Sequence, residues 1–234
     1  MTHPLYRCVF IVLLFAYWTN SASSERQVNA GINDHYLKAD YQKWVGVFES
    51  PDREVYDRRF QIVAAAGPKA GMVVADIGAG TGLFTRLFAR AVRPGGKVVA
   101  VDISRVFVEN ILRTAREQGL ENIHGLVNDQ RLTGLAPDSV DLAFVCDTYH
   151  HFEYPRTMLT SIRRSLKPGG VLVIIDFQRI PGVSSPWIIR HVRAGKQEVI
   201  KEITAAGFEL IADEKDLLRS NYFLKFRKPS DETP

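Results

Sequence analysis

The sequence predicts a three-layer α/β sandwich on a mostly parallel sheet, and three features carry that prediction. Residues 73–82 read Val-Val-Ala-Asp-Ile-Gly-Ala-Gly-Thr-Gly, an apolar run tipped by an acid and followed by three alternating glycines. Strand-length apolar runs and amphipathic helix-length segments then alternate to the end of the chain, as a doubly wound sheet requires. Pro-Gly-Gly turns at Pro94 and Pro168 punctuate the alternation.

Taken in order, residues 1–24 stand apart. After Arg7 comes an uncharged run of eleven residues, Cys8 to Trp18, too short to span a bilayer but suited to a signal-peptide core. Ser21-Ala22-Ser23-Ser24 follows, and cleavage after Ala22 or Ser24 fits the small-residue rule. This segment is read as a signal peptide or membrane anchor, placing the protein outside the cytosol or tethered to a membrane; without a working leader it is cytoplasmic. Residues 25–68 form an N-terminal helical segment. Within it, residues 34–47 put Tyr36, Leu37, Tyr41, Trp44 and Val45 on one helical face, as core filling or as a substrate wall. Ser50 or Asp52 can cap a helix over residues 53–66, which Gly67-Pro68 stops.

Residues 69–234 carry the main domain. Strands are predicted at residues 72–76, 97–101, 123–127, 140–146, 171–177, 208–212 and 221–226. Helices fall at 83–92, 104–118 with Ser104 as cap, 155–166 and 195–206. Composition sets the class. At 234 residues, 46% apolar and 24% charged, the chain is an ordinary globular protein. A net charge of +4 with no Lys/Arg run or aromatic-interleaved basic strip excludes a nucleic-acid footprint. Cys8 and Cys146 provide neither a disulfide framework nor a thiolate metal site, and no metal ligands are assigned.

The glycine run decides the ligand. Gly78, Gly80 and Gly82 let a ligand approach the backbone closely, but Leu83 occupies the sixth position, where a dinucleotide fingerprint wants Gly or Ala. Asp76, two residues before the first glycine, would repel a pyrophosphate and hold an ammonium. Asp102 ends the second strand, twenty residues past Gly82, where nucleoside-binding α/β folds place a carboxylate for the ribose hydroxyls.

Asp76-Ile-Gly-Ala-Gly-Thr-Gly82 resembles the first motif of the class I S-adenosylmethionine (SAM) dependent methyltransferases. The resemblance implies a Rossmann-like sheet of seven strands, one of them antiparallel, and SAM as cofactor. It places Asp76 at the methionyl ammonium, the backbone of Gly78, Ala79, Gly80 and Gly82 beneath the methionine and ribose, and Asp102 with Ile103 at the ribose. Asn128-Asp129-Gln130 resembles the third motif, giving Asp129 and Gln130 to the adenine, although the family more often has Gly-Asp-Ala there. Cys146-Asp147-Thr148-Tyr149-His150-His151 matches the fourth motif, beside the transferred methyl. Asp147 is assigned to the cofactor, and Tyr149, His150 and His151 to the acceptor. Either histidine can take a proton near neutral pH, or only pack. Asp147–Pro155, Arg179–Gly182 and Asn221–Leu224 resemble a leader-bearing bacterial subgroup.

His191, Arg193 and Lys196 either receive an anionic substrate or solvate a loop. No Asn-Pro-Pro-Tyr run follows the fourth strand, which disfavours amide-nitrogen acceptors, and a small molecule is the expected substrate. Two other classes compete: a non-catalytic SAM-binding module, and a nicotinamide-dependent oxidoreductase, against which Leu83 and Asp76 speak.

Overall fold

The computed structural model describes residues 25–230; the leader reading falls outside them. Short helices come first: α1 (Asp34–Leu37), α2 (Tyr41–Phe48), α3 (Glu54–Asp57) and α4 (Arg59–Ala66). Each of the two helices predicted here is broken in two. Asp40 accepts from the Lys43 amide and starts α2 afresh. Neither Ser50 nor Asp52 caps the next helix: Ser50 Oγ donates back to the Val47 carbonyl, Asp52 takes φ +72°, and Arg53 is the N-cap residue.

The core then alternates as β1 (Val73–Ile77), α5 (Leu83–Ala91), β2 (Lys97–Asp102), α6 (Arg105–Glu117), β3 (Ile123–Val127) and β4 (Val140–Cys146). A 3-10 turn (Tyr149–His151) leads to α7 (Pro155–Ser165) and β5 (Leu166–Phe177). The chain closes with α8 (Pro186–His191), α9 (Lys196–Ala205), β6 (Glu209–Asp213) and β7 (Asn221–Arg227). α8 has no counterpart in the sequence prediction. β5 starts earlier than predicted, because Leu166 already pairs with Val140 before the register shifts around Lys167–Gly170.

The strands form one sheet in the order β3-β2-β1-β4-β5-β7-β6, with β7 antiparallel to both its neighbours. Two apolar cores cover its faces. One packs Phe84 and Phe88 of α5 and Ile111 of α6 against Val74 and Phe144; the other packs Leu159 and Ile162 of α7 and Ile203 of α9 against Val145 and Ile174. Strand order reverses between β1 and β4, so their carboxyl ends open a crevice at the topological switch point. No helix among the described residues is long and apolar enough to cross a membrane.

Candidate functional site

A cavity of about 590 Å³ occupies that crevice, within the range of small-molecule sites. Asp76, Gly78, Ala79, Gly80, Asp102, Ile103, Asp129, Gln130, Asp147, His150 and His151 all line it. The structure does not bring Gly82 or Tyr149 to it. Gly82, at φ +81°, serves helix packing instead: a Cβ there would lie 2.7 Å from Ile111 Cγ1 of α6. Tyr149 is 1% exposed, packs at a tilt against Phe152 and donates to Glu202 Oε2 at 2.6 Å. Burial first, then the Glu202 charge, pushes its hydroxyl well above the usual phenol range. It is a core residue.

The glycine loop is hung from the sheet. Gly78 and Ala79 amides both donate to the Val101 carbonyl, at 2.8 and 3.1 Å, and Gly80 N–H donates to Asp102 Oδ2 at 2.8 Å. Asp102 Oδ1 accepts from the Ser104 amide just ahead of α6, while Ser104, at the N-cap position, makes no side-chain cap bond and its hydroxyl is buried without a partner. Asp76 Oδ2 accepts from Thr85 Oγ1 at 2.5 Å. Burial in the low-dielectric crevice pushes Asp76 up to about 7 and Asp102 up to about 6. Both are primed to take a cation or hydroxyl donors.

These residues fit SAM. Two carboxylates, 3% and 6% exposed, end adjacent parallel strands above a loop whose Gly80 leaves the space beside Phe48 open. Asp129 is more occupied than expected: its Oδ1 accepts the Arg131 and Leu132 amides at 2.7 Å, the role of a turn acid, while it still lines the cavity. Asp147 is also engaged. At φ +48° it binds Arg53 at 2.6 Å through Oδ2 and Asn221 at 2.6 Å through Oδ1.

The opposite wall comes from distant segments. Tyr36, Trp44 and Phe48 pack on one another and on Phe107 of α6, with centroids 4.8 to 6.5 Å apart, and all four line the cavity. The N-terminal aromatics therefore fill a core and form a wall at once. Tyr36 meets His151 edge-on at 5.3 Å, continuing the wall into His150, His151, Trp187 and His191. His150 is 3% exposed and its Nδ1 lies 2.7 Å from Asp176 Oδ1. Burial lowers its basicity, but the Asp176 charge and hydrogen bond outweigh burial and raise it. Burial, then the His150 and His191 charges, pushes His151 down to about 2. Arg193 and Lys196 are neutralised by Glu202 and Asp213, at 2.7 and 2.9 Å, and do not form an anion site with His191.

Sequence reasoning missed Arg53 and Trp187 at the cavity. Nothing local marks Arg53; an exposed-helix Trp after Ser-Pro is a faint signal for Trp187.

Residues 75–174 match the methyltransferase domain family. The ubiquinone/menaquinone biosynthesis C-methyltransferase UbiE of Burkholderia vietnamiensis is 31% identical over 121 residues, covering 50% of this chain and 48% of the relative. The chain thus aligns with about half the length of the curated relatives it matches. A SAM-dependent methyltransferase from Aquifex aeolicus shares the fold at TM-score 0.70 and 24% identity, over 82% of this chain and 100% of that one. The cyclase SpnF shares it at TM-score 0.66 and 19% identity, over 84% and 86% of the two chains. Residues 75–174 thus carry a methyltransferase domain, and with its acid-tipped strands, glycine loop and reversed β7 the chain has the fold of the SAM-dependent methyltransferase from Aquifex aeolicus.

Proposed function

We propose that this chain methylates a small, largely aromatic or apolar acceptor with SAM as methyl donor. One observation carries the reading: a single cavity joins two buried strand-tip carboxylates to a wall of aromatic rings and histidines. Asp76 holds the ammonium and Asp102 the ribose hydroxyls. Asn128, Asp129 and Gln130 edge the adenine, and the loop backbone from Gly78 to Gly80 lies along the rest of the cofactor. SAM, when bound, supplies a methyl group on a sulfonium, already electrophilic. The protein's remaining task is to exclude water and fix the acceptor in line, which is worth several kcal/mol as restricted motion. Tyr36, Trp44, Phe48 and Phe107 provide an aromatic apolar surface for that, and His150 and His151 face the same space.

The curated relatives are named for C-methylation in ubiquinone and menaquinone biosynthesis, which makes hydroxylated aromatic rings the first acceptors to try. Mass spectrometry of the purified protein should find SAM or S-adenosylhomocysteine, and labelled methyl should pass to a phenol or quinol panel. Binding without transfer to any acceptor would leave a SAM-binding module. No binding at all, or binding of a nicotinamide dinucleotide, would sink the reading. The N-terminal mass in the same spectrum tests the proposal that residues 1–24 export or tether the enzyme.

A further inference from the structure

Three histidines that the chain keeps apart meet on one wall of the cavity. His150 and His151 belong to the turn after β4, and His191 ends α8, forty residues further on. Their ring centroids are 4.2, 5.0 and 5.3 Å apart, and one ligating nitrogen from each lies within 4.8 Å of the others. Lone pairs gathered in a largely apolar wall are costly unless something uses them. His151 Nδ1 is buried with no hydrogen-bond partner.

His150 is gripped from behind. Asp176, 1% exposed, accepts from the ring at Nδ1 (2.7 Å) and from the His150 amide (3.0 Å), which leaves Nε2 as the free donor of a lone pair. A carboxylate on the far nitrogen of an imidazole is the outer-shell arrangement that orients metal-binding histidines. Trp187 stacks on His191 at 4.6 Å and 21°, setting the plane of the third ring.

We propose that His150, His151 and His191 form a binding site for a divalent transition cation of the Zn2+ class. Imidazole donors select that class over Mg2+ or Ca2+, which take oxygen ligands. Zn–N bonds of about 2.0–2.1 Å place tetrahedral ligand nitrogens roughly 3.4 Å apart, so the rings close by about 1 Å on binding. His191, half-buried on a six-residue helix, can supply that movement. Three protein ligands leave one position open toward the cavity. A phenol or enol oxygen bound there breaks its O–H bond, the proton passing to bulk water and the electron pair staying on oxygen. This last role rests on the methyl-transfer reading; the metal site does not.

The test is calorimetric titration of ZnCl2 into the full, untagged chain stripped with EDTA. One Zn2+ should bind per chain. His191→Ala should weaken it at least tenfold, and Asp176→Asn by about 10–100-fold through the loosened His150 ring. His124→Ala, exposed on β3, should change nothing. Co2+ should develop ligand-field absorption in the wild type that is lost in His191→Ala, a variant at a partly exposed position whose folding circular dichroism can verify. Absence of stoichiometric binding, or wild-type affinity in His191→Ala, would overturn the site. SAM titrated separately into stripped protein keeps the two readings apart: SAM without Zn2+ sinks the metal site alone, and Zn2+ without SAM sinks the methyltransferase alone.

Discussion

The two walls of the cavity are built by different means. The wall proposed for the cofactor is made by the sheet: its loop hangs from β2 through amides of Gly78, Ala79 and Gly80, all within a few residues of a strand end. The acceptor wall is stitched from afar. Asn33 donates to the His151 carbonyl at 3.0 Å, Val28 to Glu153 at 2.8 Å, and Arg53 reaches Asp147 at 2.6 Å. Glu25 caps α7 by accepting the Arg156 and Thr157 amides, both at 2.8 Å, and Glu54 accepts the amides of Arg219, Ser220 and Asn221 where the chain enters β7. A wall carried by central strands opens only with the whole domain, whereas one held by polar ties between surface segments can loosen by itself. The contrast teaches that the glycine-loop side of the cavity is part of the fold, while the aromatic side is an attachment to it.

Perturbing each wall separately should sharpen that division. The largest effect is expected from Asp102→Ala. It removes two charge-assisted hydrogen bonds to ribose, each worth roughly 1.5–3 kcal/mol, so calorimetry should show SAM affinity falling about a hundredfold or more. An unchanged Kd would mean that the ribose lies elsewhere. Gly78→Ala comes next. Its Cβ would sit 2.2 Å from Thr148 Cγ2 at φ +71°, and thermal unfolding should register about 2–3 kcal/mol of lost stability.

Arg53→Ala attacks the acceptor wall. It leaves the Asp147 side chain, 7% exposed, without its cation, at a cost of about 1–3 kcal/mol since Arg53 is itself partly solvated. Acceptor KM should rise several-fold more than the SAM Kd, which the loosened Asp147 touches only at its edge; an equal loss of SAM affinity would break the division. A pH series follows. Only the ionised Asp76 holds an ammonium, so below about 7 SAM binding should weaken by up to about tenfold per pH unit. Asp102, at about 6, adds a second step lower down. Without ligand the trend reverses for stability: the folded state keeps these protons that the unfolded chain has shed, so stability falls as pH rises from about 4 to about 7. The smallest effect is Tyr149→Phe, which removes the bond to Glu202 and should cost about 1 kcal/mol in unfolding with turnover unchanged.

The strand-tip side of the cavity was legible in the sequence because its signals are local. Val73–Gly82 encodes strand, acid and loop in ten consecutive residues, and Asp102 is marked by its place at the end of the second strand, twenty residues past Gly82. Local reasoning failed where one residue had two suitors. Ser104 occupies the N-cap position as predicted, yet its hydroxyl bonds no helix amide, and its own amide goes to Asp102 two residues back. Tyr149 sits in the right motif, but the turn carrying His150 toward the cavity sends its neighbour into the core beside Phe152. Asp147, Arg53 and Asn221 are joined across 94 and 74 residues, and no window of sequence shows such a pairing. The same holds for His191 beside His150, which depends on α8, a helix too short to leave a periodic trace.

Among the described residues the two tryptophans, Trp44 and Trp187, both line the cavity, one on the aromatic wall and one stacked on His191. The folded domain therefore carries its own optical reporters: ultraviolet emission comes from the two places where an acceptor or a cation would arrive. Quenching confined to Trp187→Phe-sensitive signal would separate arrival at the histidines from arrival at the rings, with no label attached.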